Sequence, residues 1–313
     1  MAHTKFTHRR ALPARILAFS VLSFLMITSA HAAEPAGFEE ALSTWQKQRV
    51  ARLLAEDGWL TLIGLDWLQS GDNSFGSAAD NAVIIKGGTM PDHAGILTLD
   101  HQRVHVHLPA GSPLTVDGRL QTEADLTDDL AEQATVLRAG SVSMHVIRRG
   151  DRVGIRSKDT ASPARTHFAG LEWFPGDPQF RVDAVLVPYP PGKKLTIINI
   201  LGMSEDDPSP GALVFDLQGK TYHVDPVQED GSQTLFLMIA DKTSGKQTYG
   251  AGRYIQVQRA AEAGHWTIDF NQAYNPPCAF TTFATCPLPP PGNRLPLFIT
   301  AGEKAYAGAE ARH

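Results

Sequence analysis

Residues 73–118 read NSFGSAADNAVIIKGGTMPDHAGILTLDHQRVHVHLPAGSPLTVDG. NSFGS, NAVIIKGG, AGILTLD, RVHVHLP and LTVDG are short runs cut by Gly, Asp, Asn or Pro, the pattern of brief strands between turns. In RVHVHLP, Val104, Val106 and Leu108 alternate with His105 and His107. That spacing predicts a half-buried strand with its histidines on the polar face.

The same pattern continues downstream. VSMHVIRRGDRVGIRSKD (142–159) predicts a hairpin around Gly150-Asp151, and LQGKTYHVD places Gln218-Gly219 at a second tight turn. FRVDAVLV, LTIINILG, ALVFDL, TLFLMIAD, TYGAGRYIQVQ and HWTIDFN are further strand candidates. Successive short strands without intervening helices predict a mainly β chain, an antiparallel sandwich or barrel. Upstream, FEEALSTWQKQRVARLLAE (38–56) predicts one N-terminal amphipathic helix. Phe38, Leu42, Trp45, Val50, Leu53 and Leu54 fall near helical spacing, with acids early and arginine late. WLTLIGLDWL (59–68) belongs in a core. The acidic stretch 121–134 (QTEADLTDDLAEQA) reads as a linker or crossing loop. It divides an N-terminal lobe, residues 33–135, from a C-terminal lobe, residues 136–313.

The first 32 residues read as a signal peptide. Lys5, Arg9, Arg10 and Arg15 precede the apolar run ILAFSVLSFLMI, and Ala30-His31-Ala32 offers a cleavage site before Ala33. The run has 12 residues, and a bilayer-crossing helix needs about 20. A periplasmic or secreted protein is expected, with no membrane span after cleavage. Cleavage leaves 24 basic and 33 acidic residues, a net charge of −9. That balance, without a Lys/Arg block, argues against nucleic acid and anionic membranes as partners.

The order of turns and strands in residues 73–118 resembles a forkhead-associated (FHA) domain, which implies a β-sandwich. The family's phosphate-binding Arg after the Phe-Gly turn is Ser77 here, and the Asn of its Asn-Gly turn is Asp117. Its Ser-x-x-His falls on Met90-Pro91-Asp92-His93, with no serine. The resemblance thus carries a shape and not phosphothreonine binding.

A second resemblance spans nearly the whole mature chain. GWLTLIGLDWL, GIRSKDTASPAR, GLEWFP, IINILG, TYGAGRY, DFNQAYNPPCAF, CPLPPPGNRLP and AGEKAY together resemble the domain of unknown function 1684 family. The resemblance implies one unit over residues 38–306, most strongly marked in its C-terminal third, and supplies no activity.

Candidate ligand residues cluster in that third. Prolines at 276–277 and 287–291 stiffen the segment, fixing Asn271, Tyr274, Asn275 and Asn293 at low entropic cost. Gly250 and Gly252 permit close approach of a backbone or ligand beside Arg253. Arg253 can then grip an anion at two points. The proposed pocket comprises Asp241, Tyr249, Arg253, Asp269, Asn271, Tyr274 and Asn275, floored by a loop that a Cys278–Cys286 disulfide closes. Closing that loop contributes about 2.5 kcal/mol. In the competing reading, Arg253 pairs internally with Asp241 or Asp269 and stiffens the sheet.

An enzyme of hydrolase type would draw on Asp241, Asp269 or Glu303 as acid and base. A third class is a non-catalytic envelope module. Lys304 beside Glu303 reads as an exposed pair, and His101, His105 and His107 read as surface residues rather than metal ligands. GxSxG, Walker, GxGxxG and HExxH motifs are absent, and no cofactor or metal is expected. The expected partner is a small polar or anionic molecule.

Overall fold

A computed structural model describes residues 1–3, 37–228 and 231–308. The segment expected to direct export lies outside the described residues apart from its first three. Among the described residues, no helix is long and apolar enough to cross a membrane. The described residues from 37 onward form one compact unit.

Helix α1 (Phe38–Leu54) opens that unit. Ten strands follow: β1 (Leu62–Trp67), β2 (Gly71–Gly76), β3 (Val83–Ile84), β4 (Gly95–Asp100), β5 (Arg103–His107), β6 (Thr115–Val116), β7 (Glu123–Leu126), β8 (Leu137–Ala139), β9 (Val142–Arg149) and β10 (Arg152–Asp159). They build two five-stranded sheets, ordered β1-β10-β9-β8-β6 and β3-β2-β4-β5-β7. Phe75, Leu97 and Val106 from one sheet meet Met144, Val146 and Ile155 from the other in a shared core. This is the expected β-sandwich. Val104, Val106 and Leu108 are buried, and His105 and His107 face outward.

A short helix α2 (Pro163–Thr166) leads into β11 (Arg181–Pro188), β12 (Lys194–Ile198), β13 (Ser204–Pro208), β14 (Gly211–Leu217), β15 (Lys220–Val224), β16 (Leu235–Ile239), β17 (Arg253–Arg259) and β18 (His265–Asp269). Six of these form a sheet ordered β15-β14-β11-β18-β17-β16, and β12 and β13 stand apart as a two-stranded arm. All named strand pairs are antiparallel except β2 with β3.

Both tight hairpins form as read. Arg149 pairs with Arg152 across Gly150-Asp151, and Leu217 with Lys220 across Gln218-Gly219. Gln218 and Gly219 both have positive φ, 52° and 72°. A two-residue hairpin turn of primed type requires this backbone.

Two expectations need correction. Residues 121–134 are not simply a linker, because β7 lies within them and pairs with β5, and Asp128 bridges to Val146 of β9. Acidic composition hid a strand whose side chains Glu123 and Asp125 meet His107 and His105. On α1, the buried stripe runs Phe38, Leu42, Arg49 and Leu53. A charged residue thus occupies a position that its spacing assigns to the core face.

After β18 come three short 3-10 turns, Phe270–Gln272, Pro277–Ala279 and Pro291–Asn293, and the tail then returns to the six-stranded sheet. Leu295, Leu297, Ile299 and Ala301 are buried at alternate positions and join that sheet's core. Full burial of a Leu or Ile side chain contributes about 1.5–3 kcal/mol, so this stripe holds the tail down.

Candidate functional site

The tail brings polar residues onto β17, and they close upon one another. Asp241 accepts a hydrogen bond from Arg253 Nη2 at 2.8 Å, and both side chains are essentially inaccessible. The same guanidinium donates to the carbonyls of Ile299, Ala301 and Glu303. An extended segment without a neighbouring strand leaves such carbonyls unsatisfied, and buried carbonyls need donors. Arg253 therefore substitutes for a missing strand. Burial disfavours its charge, and Asp241 and then Glu303 restore it. Gly252 makes the approach possible, with φ +101° and a position where a Cβ would sit 2.4 Å from Ile239 O.

A second closed cluster adjoins it. Glu303 accepts from Arg49 Nε at 2.8 Å through Oε1 and from the Asn275 amide at 2.7 Å through Oε2. Arg49 Nη2 donates to the Asn275 carbonyl, and the guanidinium lies 4.7 Å from the Tyr274 ring centre. Burial pushes the Glu303 carboxyl up, opposed chiefly by Arg49.

The other expected residues brace backbone. Asn271 exchanges hydrogen bonds with the Asp177 amide and carbonyl, and Asp269 accepts from Asn271. Asn293 does the same for Asp225, and its amide also donates to the Met238 carbonyl. Tyr249 Oη donates to the Cys278 carbonyl. Thus Asp241, Arg253, Tyr274 and Asn275 do converge, around Glu303. Asp269 and Asn271 brace a different loop. The internal pairing of Arg253 with Asp241 is the arrangement found, and Lys304 reaches Glu172 rather than Glu303.

Cys278 and Cys286 are free, buried thiols, and the expected disulfide is absent from the structure. They nevertheless touch, with the Cys278 amide donating to Cys286 Sγ at 3.0 Å. A hydrogen bond from Cys286 lowers the Cys278 thiol below its ordinary value, and burial raises that of Cys286.

An open site lies elsewhere. A cleft of about 430 Å³ opens between the outer face of the β9–β10 hairpin, the β12–β13 arm and the loop around Thr285. That volume suits a small molecule. On β10, Val153, Ile155 and Ser157 face the sandwich core, so Arg156 points the opposite way. Loop residues 284–287 cover it there, leaving Arg156 only 5% exposed. Nη2 reaches Thr285 Oγ1 at 3.4 Å, Nε has no partner, and the guanidinium lies 5.8 Å from the Trp59 ring centre. No carboxylate pairs with it among the described residues.

Arg149, beside it, is already matched. It forms a two-point pair with Asp129, 2.8 and 3.1 Å, and donates to Thr285 at 3.3 Å. Burial, followed by the charge of Arg149, pushes the Arg156 guanidinium down to about 10. On the neighbouring strand His145 is pushed down to about 4, by burial first and then by Lys158 and Arg156.

Arg149, Arg156, Asp129 and Thr285 did not stand out individually in the sequence. Arg156 lies in GIRSKDTASPAR and Thr285 in the Cys-flanked loop, so family resemblance marked their segments without separating them from their neighbours.

The FHA-like face lacks phosphate-binding equipment where that family carries it. Ser77 Oγ donates to Asp92 Oδ1, and Asp117 occupies its turn with φ 48°. Comparison with solved structures includes an FHA domain from a structural and functional analysis of phosphothreonine-dependent FHA domain interactions. It is 17% identical over 31% of this chain and 96% of that one, with a TM-score of 0.22. Mycobacterium tuberculosis EmbR, solved with a low-affinity phosphopeptide, is 11% identical over 39% of this chain and 31% of that one, with a TM-score of 0.21. The solution NMR structure of an uncharacterized protein from Haloarcula marismortui is 32% identical over 46% of this chain and 81% of that one, with a TM-score of 0.39. No curated protein matches the chain. Residues 166–304 match the family described as "Protein of unknown function (DUF1684)".

Proposed function

We propose that this chain is an exported protein that binds a small anionic molecule in the cleft beneath the β12–β13 arm. One observation carries this reading. Arg156 is buried, carries a charge, and lacks a carboxylate partner. Arginine is rarely buried unless paired, and an uncompensated buried charge costs several kcal/mol. A ligand anion supplies the missing partner. Thr285 Oγ1 and the Trp59 ring would frame the anion-binding end, and Arg149 remains committed to Asp129.

The test is thermal denaturation of the wild-type chain and Arg156→Met with hexanoate and inorganic phosphate. The reading expects at least one anion to raise the wild-type melting temperature in a saturable manner and to leave the variant unmoved. Equal shifts in both proteins would place the binding elsewhere.

Export motivates a companion proposal. In an oxidising compartment the touching thiols of Cys278 and Cys286 lose two hydrogens to an oxidised dithiol partner and close as a disulfide at the cleft wall. Protein recovered from outside the cytoplasm should begin at Ala33 and yield no titratable thiol under denaturing conditions. An uncleaved N-terminus refutes processing there, and two free thiols refute the bridge.

A further inference from the structure

The charges around the cleft narrow the ligand further, given the reading of Arg156 as its anion receptor. Arg149 is neutralised by Asp129, leaving Arg156 as the unmatched cation. Across the opening, Glu205 and Asp207 line the cleft from alternate positions of β13. The intervening Asp206 is the acid that accepts from Thr196 Oγ1. The Glu205 side chain makes no ion pair or hydrogen bond among the described residues, and it is exposed. Its pairing partner in the β ladder is Ile197, which also lines the cleft. The same cleft is also lined by the apolar surfaces of Trp59, Ile197, Phe236 and Tyr254.

We infer that the cleft takes an amphoteric carboxylate, a molecule with one carboxylate for Arg156, an apolar middle, and an ammonium end for Glu205. Charge count separates this class from dianions such as phosphate. The cleft sets Arg149 and Arg156 against Asp129 and Glu205. A monoanion saturates Arg156, whereas a second negative charge would face Glu205 unmatched. The ammonium end meets Glu205 near water and contributes modestly, while the carboxylate end meets a desolvated guanidinium and dominates.

The decisive experiment is isothermal titration of the full chain with 6-aminohexanoate, hexanoate, hexylamine and inorganic phosphate. The expected order is 6-aminohexanoate about five- to tenfold tighter than hexanoate, with hexylamine and phosphate weaker than both. Glu205→Gln should bring 6-aminohexanoate to within twofold of hexanoate and leave hexanoate itself unchanged. Arg156→Met should abolish binding of both. If hexanoate or phosphate binds as tightly as 6-aminohexanoate, or if Glu205→Gln keeps the preference, the amphoteric class is wrong while the anion receptor stands. If none of the probes binds the wild type, both readings fall.

Discussion

Two arginines sit almost equally deep in this molecule, Arg253 at 1% exposure and Arg156 at 5%. Their surroundings differ in one respect. Arg253 is held by Asp241 and three backbone carbonyls, with no face left for a ligand. Arg156 has one long contact to Thr285 and an Nε without a partner. The polar residues that marked the C-terminal third in the sequence are thus engaged in holding a tail against a sheet. Burial of a charge does not distinguish architecture from a receptor. Its degree of satisfaction does.

That contrast can be broken at several points. Asp241→Ala leaves Arg253 buried without its carboxylate, and removing one partner of such a pair costs about 3–5 kcal/mol. Urea unfolding of the variant measures it, and a loss below 1 kcal/mol would mean that Arg253 had found water. The second effect is pH dependence. His145 has its folded pKa depressed from the ordinary 6.5 to about 4 because burial disfavours its charged form. Between those values the unfolded chain binds the proton more readily, so stability falls as pH falls from 6.5 toward 4, by roughly 3 kcal/mol at most. His145→Gln should flatten that decline in chemical denaturation across the same window, and an unchanged slope would exclude His145 as its source.

Arg156→Met gives a smaller change of opposite sign. Replacing an uncompensated buried charge by a flexible apolar side chain should stabilise the unliganded protein by about 1–3 kcal/mol. A destabilised variant would show that Arg156 is structural like Arg253. Smallest of all, His105→Ala removes an exposed partner of Asp125 and should move stability by less than about 0.5 kcal/mol.

Alternation made the sandwich legible. Val104, Val106 and Leu108 against His105 and His107 fix a face from the sequence alone, and Gly150-Asp151 and Gln218-Gly219 fix two turns. Arg49 was also within reach, because it lies on the apolar stripe of α1 between Leu42 and Leu53. Glu303, 254 positions away, was not assignable as its partner. Arg156 was hidden for the same reason. In RVGIRSKD it occupies what reads as the wet face of a hairpin. Only the fold shows that a loop more than a hundred residues downstream covers that face. Strand β7 was obscured by its acids, which face histidines across the sheet edge.

The most direct test compares calorimetric titrations of the wild-type chain and Arg156→Met with 6-aminohexanoate in the same buffer. The account predicts saturable one-to-one binding to the wild type and none to a variant that is folded and more heat-stable. Undiminished binding by that variant, or a variant less stable than its parent, would contradict the claim that Arg156 is a buried charge awaiting its anion.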